Sequence, residues 1–414
     1  MGTPFKQILY FFEIVVVLSF SSQSLFQNEQ QSIEWYICKA NLINVNGTII
    51  SNWNLKNYNL KYCKKLCRLG TILSSLIDKD CKVSDSIYFN DNLLRYKDIS
   101  IAKSDTYLYW YLGFFTTCIT ETQAINITTI TQIEFKGVNY YGDYYINGHY
   151  LNKDRMMYKG MFHSIIFDIT PYLNTDSHTD TSKVDSKTGL ITNTIAVLVH
   201  PPDHPGYVEK GGQGGDHTVA RNGAIMQYTA GWDWIQSTPD RNTGIYDQVI
   251  LRYTGYIELL NPYLTTTSIT HEADDKYSAY IDGSVSIKNH LSTILNATVT
   301  MDIRDIHGNI VASHTKHITN LPPLESYTIH IHDVVIKHVR LWWPHTHGQP
   351  YLYTVTWQVF IDTHPLHTLH PRLFPSPSST ISHKLGVRTV QGYIDPATQG
   401  WEFKVNNVPI FLIG

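Results

Sequence analysis

Hydrophobic and polar residues alternate with a period of two along most of the chain. The clearest runs are residues 195–199, 297–303 and 351–361, where every second residue is apolar. This period is typical of strands that bury one face. Apart from a weak helical repeat at residues 63–76, no long stretch repeats every three to four residues. The pattern therefore predicts an all-β architecture.

Turn signals divide these strands into two series. His307, Gly308 and Asn309 separate two apolar runs and predict a hairpin with a short glycine-containing loop. Asn261-Pro262 predicts a turn that ends a strand over residues 249–260, before a second strand series begins near residue 267. A domain boundary is therefore expected at about residue 260.

Length and charge limit the class of protein. The 414 residues allow two or three domains, each with enough apolar material for a core. The formal net charge is −3, and no block of the chain is rich in lysine and arginine. Nucleic-acid binding requires such a basic footprint. Nucleic acid is therefore not an expected partner.

The first 24 residues have the order of a secretory signal peptide. Lys6 precedes an apolar stretch over residues 8–20, and small polar residues follow it. Glu13 interrupts the stretch, which is shorter than the roughly 20 apolar residues of a membrane span, so no stable membrane insertion is expected. The alternative is a buried apolar strand. Three Asn-x-Thr triplets predict glycosylation on a secretory route, at Asn46, Asn126 and Asn296.

Metal ligands are not evident in the cysteine and histidine pattern. All five cysteines lie in the first third of the chain, where they predict one or two local disulfides: Cys38, Cys63, Cys67, Cys81 and Cys118. The spacing of Cys63, Cys67 and Cys81 suggests zinc, but no histidine lies at finger-like spacing. Histidines amid proline and threonine are interpreted as loop residues: His345, His347, His364, His367 and His370. No metal or organic cofactor is expected.

The segment GWDWIQSTPDRNTGIYD at residues 231–247 is the strongest candidate for a binding site. Trp232 and Trp234 flank Asp233, and a second charged pair follows at Asp240 and Arg241. Indole faces pack on the apolar faces of sugar rings, and a carboxylate accepts hydrogen bonds from sugar hydroxyls. The alternative is a buried corner in which the aspartate caps a turn. The glycine-rich stretch 211–223 just before it lacks the lysine and helix of a phosphate-binding loop.

Ten stretches carry a family resemblance across nearly the whole chain after the signal. They are GTIL at 70–73, NDNLL at 90–94, WYLGFF at 110–115, GVNYYGDYYING at 137–148, GMFHSIIFDIT at 160–170, HPPDHPG at 200–206, GWDWIQSTPDRNTGIYDQV at 231–249, LWWPHTHGQPYLY at 341–353, LGVRTV at 385–390 and FKVNNVPIFLIG at 403–414. These stretches resemble glycoside hydrolase family 2, and within it the branch of exo-β-D-glucosaminidases and plant-type endo-β-mannosidases. The chain departs from the family at Asn406-Asn407, where Asn-Gly is usual, at Ile413, where arginine is common, and at residues 85–88.

The resemblance implies a domain order. Residues 32–260 are similar to a galactose-binding-like jelly roll, and residues 261–395 to an immunoglobulin-like β-sandwich. Residues 396–414 resemble the opening strand of the catalytic TIM barrel, which predicts a stub ending in an apolar strand without a partner. Retaining glycosidases use a general acid and a nucleophilic carboxylate about 5–5.5 Å apart. In this family both are barrel glutamates, so no catalytic residue is expected in this chain.

Two functional hypotheses follow from the resemblance. The favoured one is the N-terminal portion of a secreted or lysosomal exo-glycosidase acting on β-linked glucosamine or mannose, inactive as this fragment. The competing one is a non-catalytic carbohydrate-binding protein. By analogy with the family's glycosidases, Asp233 is the expected hydroxyl contact, with Trp232 or Trp234 as a wall and with Asp240 and Arg241 as a brace. Whether the chain is itself an enzyme stays open.

Overall fold

The computed structural model describes most of the chain. The described residues are 33–53, 62–79, 82–83, 108–118, 130–174, 183–184, 190–202, 240–272, 274, 276–362 and 377–412. They fall into two compact units, which divide between residues 253 and 254. Strands dominate both units, so the predicted all-β architecture is confirmed.

The first unit contains thirteen strands within the described residues. They are β1 Glu34–Lys39, β2 Cys63–Lys65, β3 Asp78–Lys79, β4 Lys82–Val83, β5 Tyr109–Cys118, β6 Ile130–Phe135, β7 Val138–Asn139, β8 Tyr141–Ile146, β9 His149–Tyr150, β10 Ile165–Asp168, β11 Leu190–His200, β12 Gly244–Ile245 and β13 Val249–Thr254. Three short α-helices accompany them: α1 Ala40–Ile43, α2 Gly47–Ile50 and α3 Ile72–Ile77. The weak helical repeat at 63–76 thus corresponds to β2 and most of α3.

A six-stranded sheet in the order β2-β1-β5-β11-β8-β9 forms the main layer of this unit. The sheet β10-β6-β13 lies in the same unit, and the main core includes Tyr111, Val197, Phe135 and Phe167. A second buried cluster includes Trp110 and Leu112, whose side chains alternate with that of Tyr111 along β5. Residues 109–115 are all buried because both faces of this strand are covered.

Three cysteines of the first unit, Cys38, Cys63 and Cys67, form disulfide bonds. Cys38 and Cys63 are opposite residues of β1 and β2 and form a disulfide, with their Cα atoms 4.2 Å apart. Cys67 is also disulfide-bonded. The prediction of one or two local disulfides is confirmed.

The second unit contains ten strands within the described residues. They are β14 Ile257–His271, β15 Tyr277–Asn289, β16 Leu295–Arg304, β17 Ile310–Leu321, β18 Ser326–Ile336, β19 Tyr353–Ile361, β20 Ser379–Leu385, β21 Val390–Ile394, β22 Trp401–Val405 and β23 Val408–Ile410. The sheets β14-β15-β18 and β17-β16-β19-β20 share one core, in which Trp357 is fully buried. The hairpin predicted around Gly308 is confirmed, since β16 and β17 pair at Arg304 and Ile310.

The turn predicted at Asn261-Pro262 is wrong, because strand β14 runs through it. The pairing of β14 with β15 shifts register between Leu260 and Tyr263, and Asn261 has a φ of 49°. A bulge absorbs the irregular backbone, and β14 is an edge strand, where the missing N–H of Pro262 costs no ladder bond. Proline here marks a bulge within β14 and not the end of a strand.

The prediction that residues 409–414 form a strand without a partner is also wrong for the part that the structure describes, residues 409–412. Strand β23 pairs antiparallel with β22, which pairs with β21. Asn406 and Asn407, the departure from the family's Asn-Gly, have φ values of 50° and 65°. Asparagine tolerates this left-handed backbone, which a two-residue type I′ hairpin turn requires at both positions. The substitution therefore keeps the turn.

Candidate functional site

The predicted sugar-contacting residues Trp232, Asp233 and Trp234 lie outside the described residues, as does the glycine-rich stretch 211–223. The described part of the segment begins at Asp240. Asp240 and Arg241 are both fully buried in the first unit. What the structure describes is therefore the anchor of the segment, and the sugar contacts themselves stay a prediction.

The carboxylate of Asp240 binds a distant part of the chain. Its Oδ2 accepts the backbone N–H of Leu73 at 2.8 Å, and its Oδ1 accepts that of Asn242 at 2.9 Å. Leu73 lies in the first turn of α3, whose N-cap is Thr71. A negative charge at a helix N-terminus is favourable because the N–H groups there have no partner within the helix. Asp240 thus supplies the acceptor that this end of α3 needs.

The charged side chain of Lys64 caps the other end of the same helix. The ammonium Nζ of Lys64 donates to the carbonyl oxygens of Ser75 and Leu76, at 2.8 and 2.9 Å, and to that of Asp78. Positive charge at a helix C-terminus is favourable for the converse reason. Opposite charges therefore hold both ends of a six-residue helix, which is too short to be stable by itself.

Burial raises the pKa of Asp240 above its usual value. The hydrogen bonds from Leu73, Thr71 and Asn242, together with the nearby charge of Arg241, act in the opposite direction. The carboxylate is therefore costly to bury, and the backbone donors and the guanidinium are what offset the cost.

A tight turn follows Asp240 and fixes Arg241. Arg241 and Asn242 have φ values of 50° and 55°, and the N–H of Thr243 donates to the Asp240 carbonyl at 2.8 Å. The side chain of Asn139, in β7, donates to the Arg241 carbonyl at 2.7 Å. The turn is thus tied to the first unit through β7 as well as through α3.

Gly244, at the end of this turn, packs closely against the backbone of two other segments. It pairs with Asn139 across β12 and β7 and forms a bridge with Thr71. Beside it the hydroxyl of Tyr111 donates to the Gly70 carbonyl at 2.9 Å. The resemblance motifs at 70–73, 110–115, 137–148 and 231–249 therefore meet at one place. The predicted brace role of Asp240 and Arg241 stays a prediction, but their burial fits support better than direct sugar contact.

A second polar cluster, which the sequence did not reveal, is formed by side chains of the neighbouring strands β8, β9 and β11. Asp143 accepts hydrogen bonds from the hydroxyls of Tyr141 and Tyr150 at 2.6 and 2.9 Å, and its other oxygen lies 2.7 Å from His200 Nε2. Burial raises the pKa of Asp143, but the bonds from His200, Tyr141 and Tyr150 outweigh it and hold the pKa below the usual range. The only sequence signal was the two-residue spacing of Tyr141 and Asp143, which places them on one face.

This cluster predicts a pH-dependent contribution to stability. Because the folded-state pKa of Asp143 is lowered, its contribution is complete above the usual carboxyl pKa of about 3.9 and is lost as pH falls towards the folded-state pKa. We expect Asp143→Asn to lower the free energy of unfolding by about 1.5–3 kcal/mol at pH 7. The difference from wild type should shrink at pH 3, as measured by urea denaturation at both pH values. An equal difference at both would contradict the charge-based account.

The predicted glycosylation sites lie in different surroundings. Asn46 is exposed and caps α2, accepting the N–H of Ile49 at 2.9 Å. Asn296 is half-buried and accepts the N–H of Asn320 at 2.9 Å. Asn126 lies outside the described residues. Glycosylation at all three stays a prediction.

The part of the chain that the structure describes contains no helix long and apolar enough to cross a membrane. Across the same residues, no group of three or more His, Cys, Asp or Glu side chains is placed to hold a metal ion.

Comparison with known proteins supports the family resemblance. Residues 263–369 match the model of glycosyl hydrolases family 2. The mannosylglycoprotein endo-β-mannosidase of Lilium longiflorum is 30% identical over 351 residues, which is 83% of this chain and 32% of that protein. The exo-β-D-glucosaminidase of Amycolatopsis orientalis is 22% identical over 294 residues, 69% of this chain and 22% of that protein. The chain thus spans no more than about a third of the curated relatives it matches.

The crystal structure of the Amycolatopsis orientalis exo-chitosanase CsxA shares the fold. It has a TM-score of 0.64 and 17% identity, covering 93% of this chain and 36% of that one. The predicted resemblance is confirmed: the chain is a relative of glycoside hydrolase family 2. The curated relatives that it resembles are named endo-β-mannosidase and exo-β-D-glucosaminidase.

Proposed function

We propose that this chain forms the sugar-recognition part of a family 2 exo-glycosidase that acts on β-linked glucosamine or mannose. The names of the relatives support this choice of sugars. The observation that carries the proposal is the buried anchor at Asp240, because it fixes the chain seven residues after Asp233 to the first unit. A binding loop needs such a rigid base.

Each residue of the segment has a distinct role in this proposal. Asp233 accepts hydrogen bonds from hydroxyls of the non-reducing sugar, and Trp232 or Trp234 forms an apolar wall against the ring. Asp240 and Arg241 brace the segment from within the unit and do not contact the sugar. We assign neither the general acid nor the nucleophile to any residue of this chain.

We therefore expect residues 1–414 alone to bind these sugars without hydrolysing them. Hydrolysis requires a pair of carboxylates about 5–5.5 Å apart across the scissile bond. In the proposal that pair is supplied by a catalytic barrel of the kind the family carries. No cofactor is needed for this chemistry.

The test is titration of the purified chain with glucosamine and mannose oligosaccharides. Binding is measured by calorimetry or NMR. Asp233→Ala should weaken binding by about 10-fold or more, because a hydrogen bond to a charged group contributes about 1.5–3 kcal/mol. Asp247→Ala is the matched control, since Asp247 is an exposed aspartate of the same segment. Unchanged binding by Asp233→Ala, or turnover of nitrophenyl glycosides by the chain, would overturn the proposal.

A non-catalytic carbohydrate-binding protein is the second candidate. The observation that favours it is that Asp240, Leu73 and Asn139 all belong to the first unit, so the anchor needs no further domain. Micromolar binding by the chain alone would favour this candidate. Millimolar binding that tightens when a barrel is joined to the chain would favour the glycosidase.

We also propose that the protein follows the secretory pathway. The Cys38–Cys63 disulfide supports this, because such bonds persist mainly in oxidising compartments. Expression in a secreting cell should place the chain in the medium with glycans on Asn46 or Asn296. Retention in the cytosol with free thiols would contradict it.

A further inference from the structure

Two histidines stand side by side on the second unit, far along the chain from the sugar segment. His330 and His332 lie two residues apart in β18, so their side chains share one face of the strand. Their rings are nearly parallel, at 9°, with centroids 6.5 Å apart. Both residues are exposed. The strand therefore presents two imidazole rings together at the surface.

An aspartate on the neighbouring strand orients one of these rings. Asp282 Oδ2 lies 2.9 Å from His332 Nδ1, and Asp282 Oδ1 accepts the N–H of Asp333 at 2.9 Å. The register of β15 and β18 shifts at this point, and Asp333 has a φ of 55°. Bulges of this kind re-aim a side chain. In the neutral tautomer whose Nδ1–H donates to this carboxylate, Nε2 of His332 carries the free lone pair.

A carboxylate behind a histidine is the arrangement found around metal-bound imidazole, where it fixes the ring and raises its basicity. Imidazole favours Zn, Cu and Ni among divalent ions. With metal–nitrogen bonds of about 2.0–2.1 Å, two imidazoles on one ion have centroids about 5–6 Å apart. The observed spacing of 6.5 Å is larger, so binding requires the two exposed rings to rotate towards each other.

We propose that His330 and His332 together bind one divalent cation of the Cu(II), Ni(II) and Zn(II) class, with Asp282 orienting His332. Because the described residues contain no group of three His, Cys, Asp or Glu side chains placed to hold a metal ion, water completes the coordination. The site differs in position and chemistry from the proposed sugar site.

The test is a titration of the untagged full chain with Cu(II). Binding is detected by electron paramagnetic resonance. We expect one equivalent bound through two imidazole nitrogens. His330→Asn and His332→Asn should each weaken that equivalent by at least 10-fold, and Asp282→Asn by about 10-fold. The matched control is His317→Asn, an exposed histidine of the same unit whose Nδ1 lies 2.8 Å from the Thr298 hydroxyl. It should bind as wild type.

Several results would overturn the proposal. One is the absence of Cu(II) binding by the wild type. Another is a double variant, His330→Asn with His332→Asn, that keeps the same number and affinity of bound ions. If the histidine variants lost Cu(II) binding completely and Asp282→Asn bound Cu(II) as wild type does, Asp282 would not orient His332. Circular dichroism establishes that each variant is folded, which we expect because the replaced side chains are exposed or at the surface.

Discussion

Replacement of Gly244 by alanine is expected to lower the free energy of unfolding of the first unit by about 2–6 kcal/mol, the largest effect among these predictions. Gly244 has a φ of 147°, in the region that side chains rarely adopt. A Cβ there would lie 2.6 Å from Thr71 Cα and 2.7 Å from the Gly70 carbonyl oxygen. Both contacts are to backbone, so no side-chain rotation relieves them. Urea denaturation followed by fluorescence measures the loss.

Gly308→Ala is the matched control for this prediction. Gly308 also has a positive φ, of 84°, but nothing lies within 4 Å of an added Cβ. Its replacement should lower the free energy of unfolding through backbone strain alone, by about 1–2 kcal/mol. If the two variants lost the same stability, the close approach at Gly244 would contribute nothing.

Replacement of Asp240 by alanine is expected to lower the free energy of unfolding by about 3–5 kcal/mol. The substitution removes the acceptor of the Leu73 and Asn242 N–H groups and the negative charge beside the buried Arg241. Asp240→Asn should lose less, because the amide keeps one acceptor oxygen. The same variants should weaken sugar binding, since the segment that follows Asp233 loses its anchor. Thermal denaturation and the sugar titration measure the two effects.

Asp247→Ala serves as the control here too. Asp247 is exposed, and its only described side-chain bond is to the N–H of Gln248. Its replacement should change stability by no more than about 0.5 kcal/mol. An Asp240→Ala variant within 1 kcal/mol of wild type would show that the buried carboxylate does not hold the segment.

Features that depend on local patterns could be predicted from the sequence. The strands around Val197, Val299 and Val355 follow from alternation, because side-chain direction in a strand depends only on neighbouring residues. The hairpin at Gly308 follows from its turn residues for the same reason. The Asn261-Pro262 turn was wrongly predicted because a proline on an edge strand gives the same local signal as one that ends a strand.

Contacts between distant segments could not be predicted in this way. Nothing near Asp240 in the sequence indicates that its partner is the N–H of Leu73, since the bond depends on where two segments meet. The Asp143–His200 contact likewise joins residues 57 positions apart. Family motifs indicated that the residues around Asp240 matter, but they did not show that Asp240 is buried.

The Asp240–Leu73 bond also bears on the order in which the protein is made. It joins residues 167 positions apart, so α3 leaves the ribosome long before its capping carboxylate is synthesised. A six-residue helix is not stable alone, so α3 is expected to form late, when residues 240–244 dock. Contacts of such long range slow folding because the loop between them must close first. The segment proposed to contact sugar would thus be fixed in place only after residues 240–244 have been synthesised and docked, and until then the partly folded first unit is exposed to aggregation.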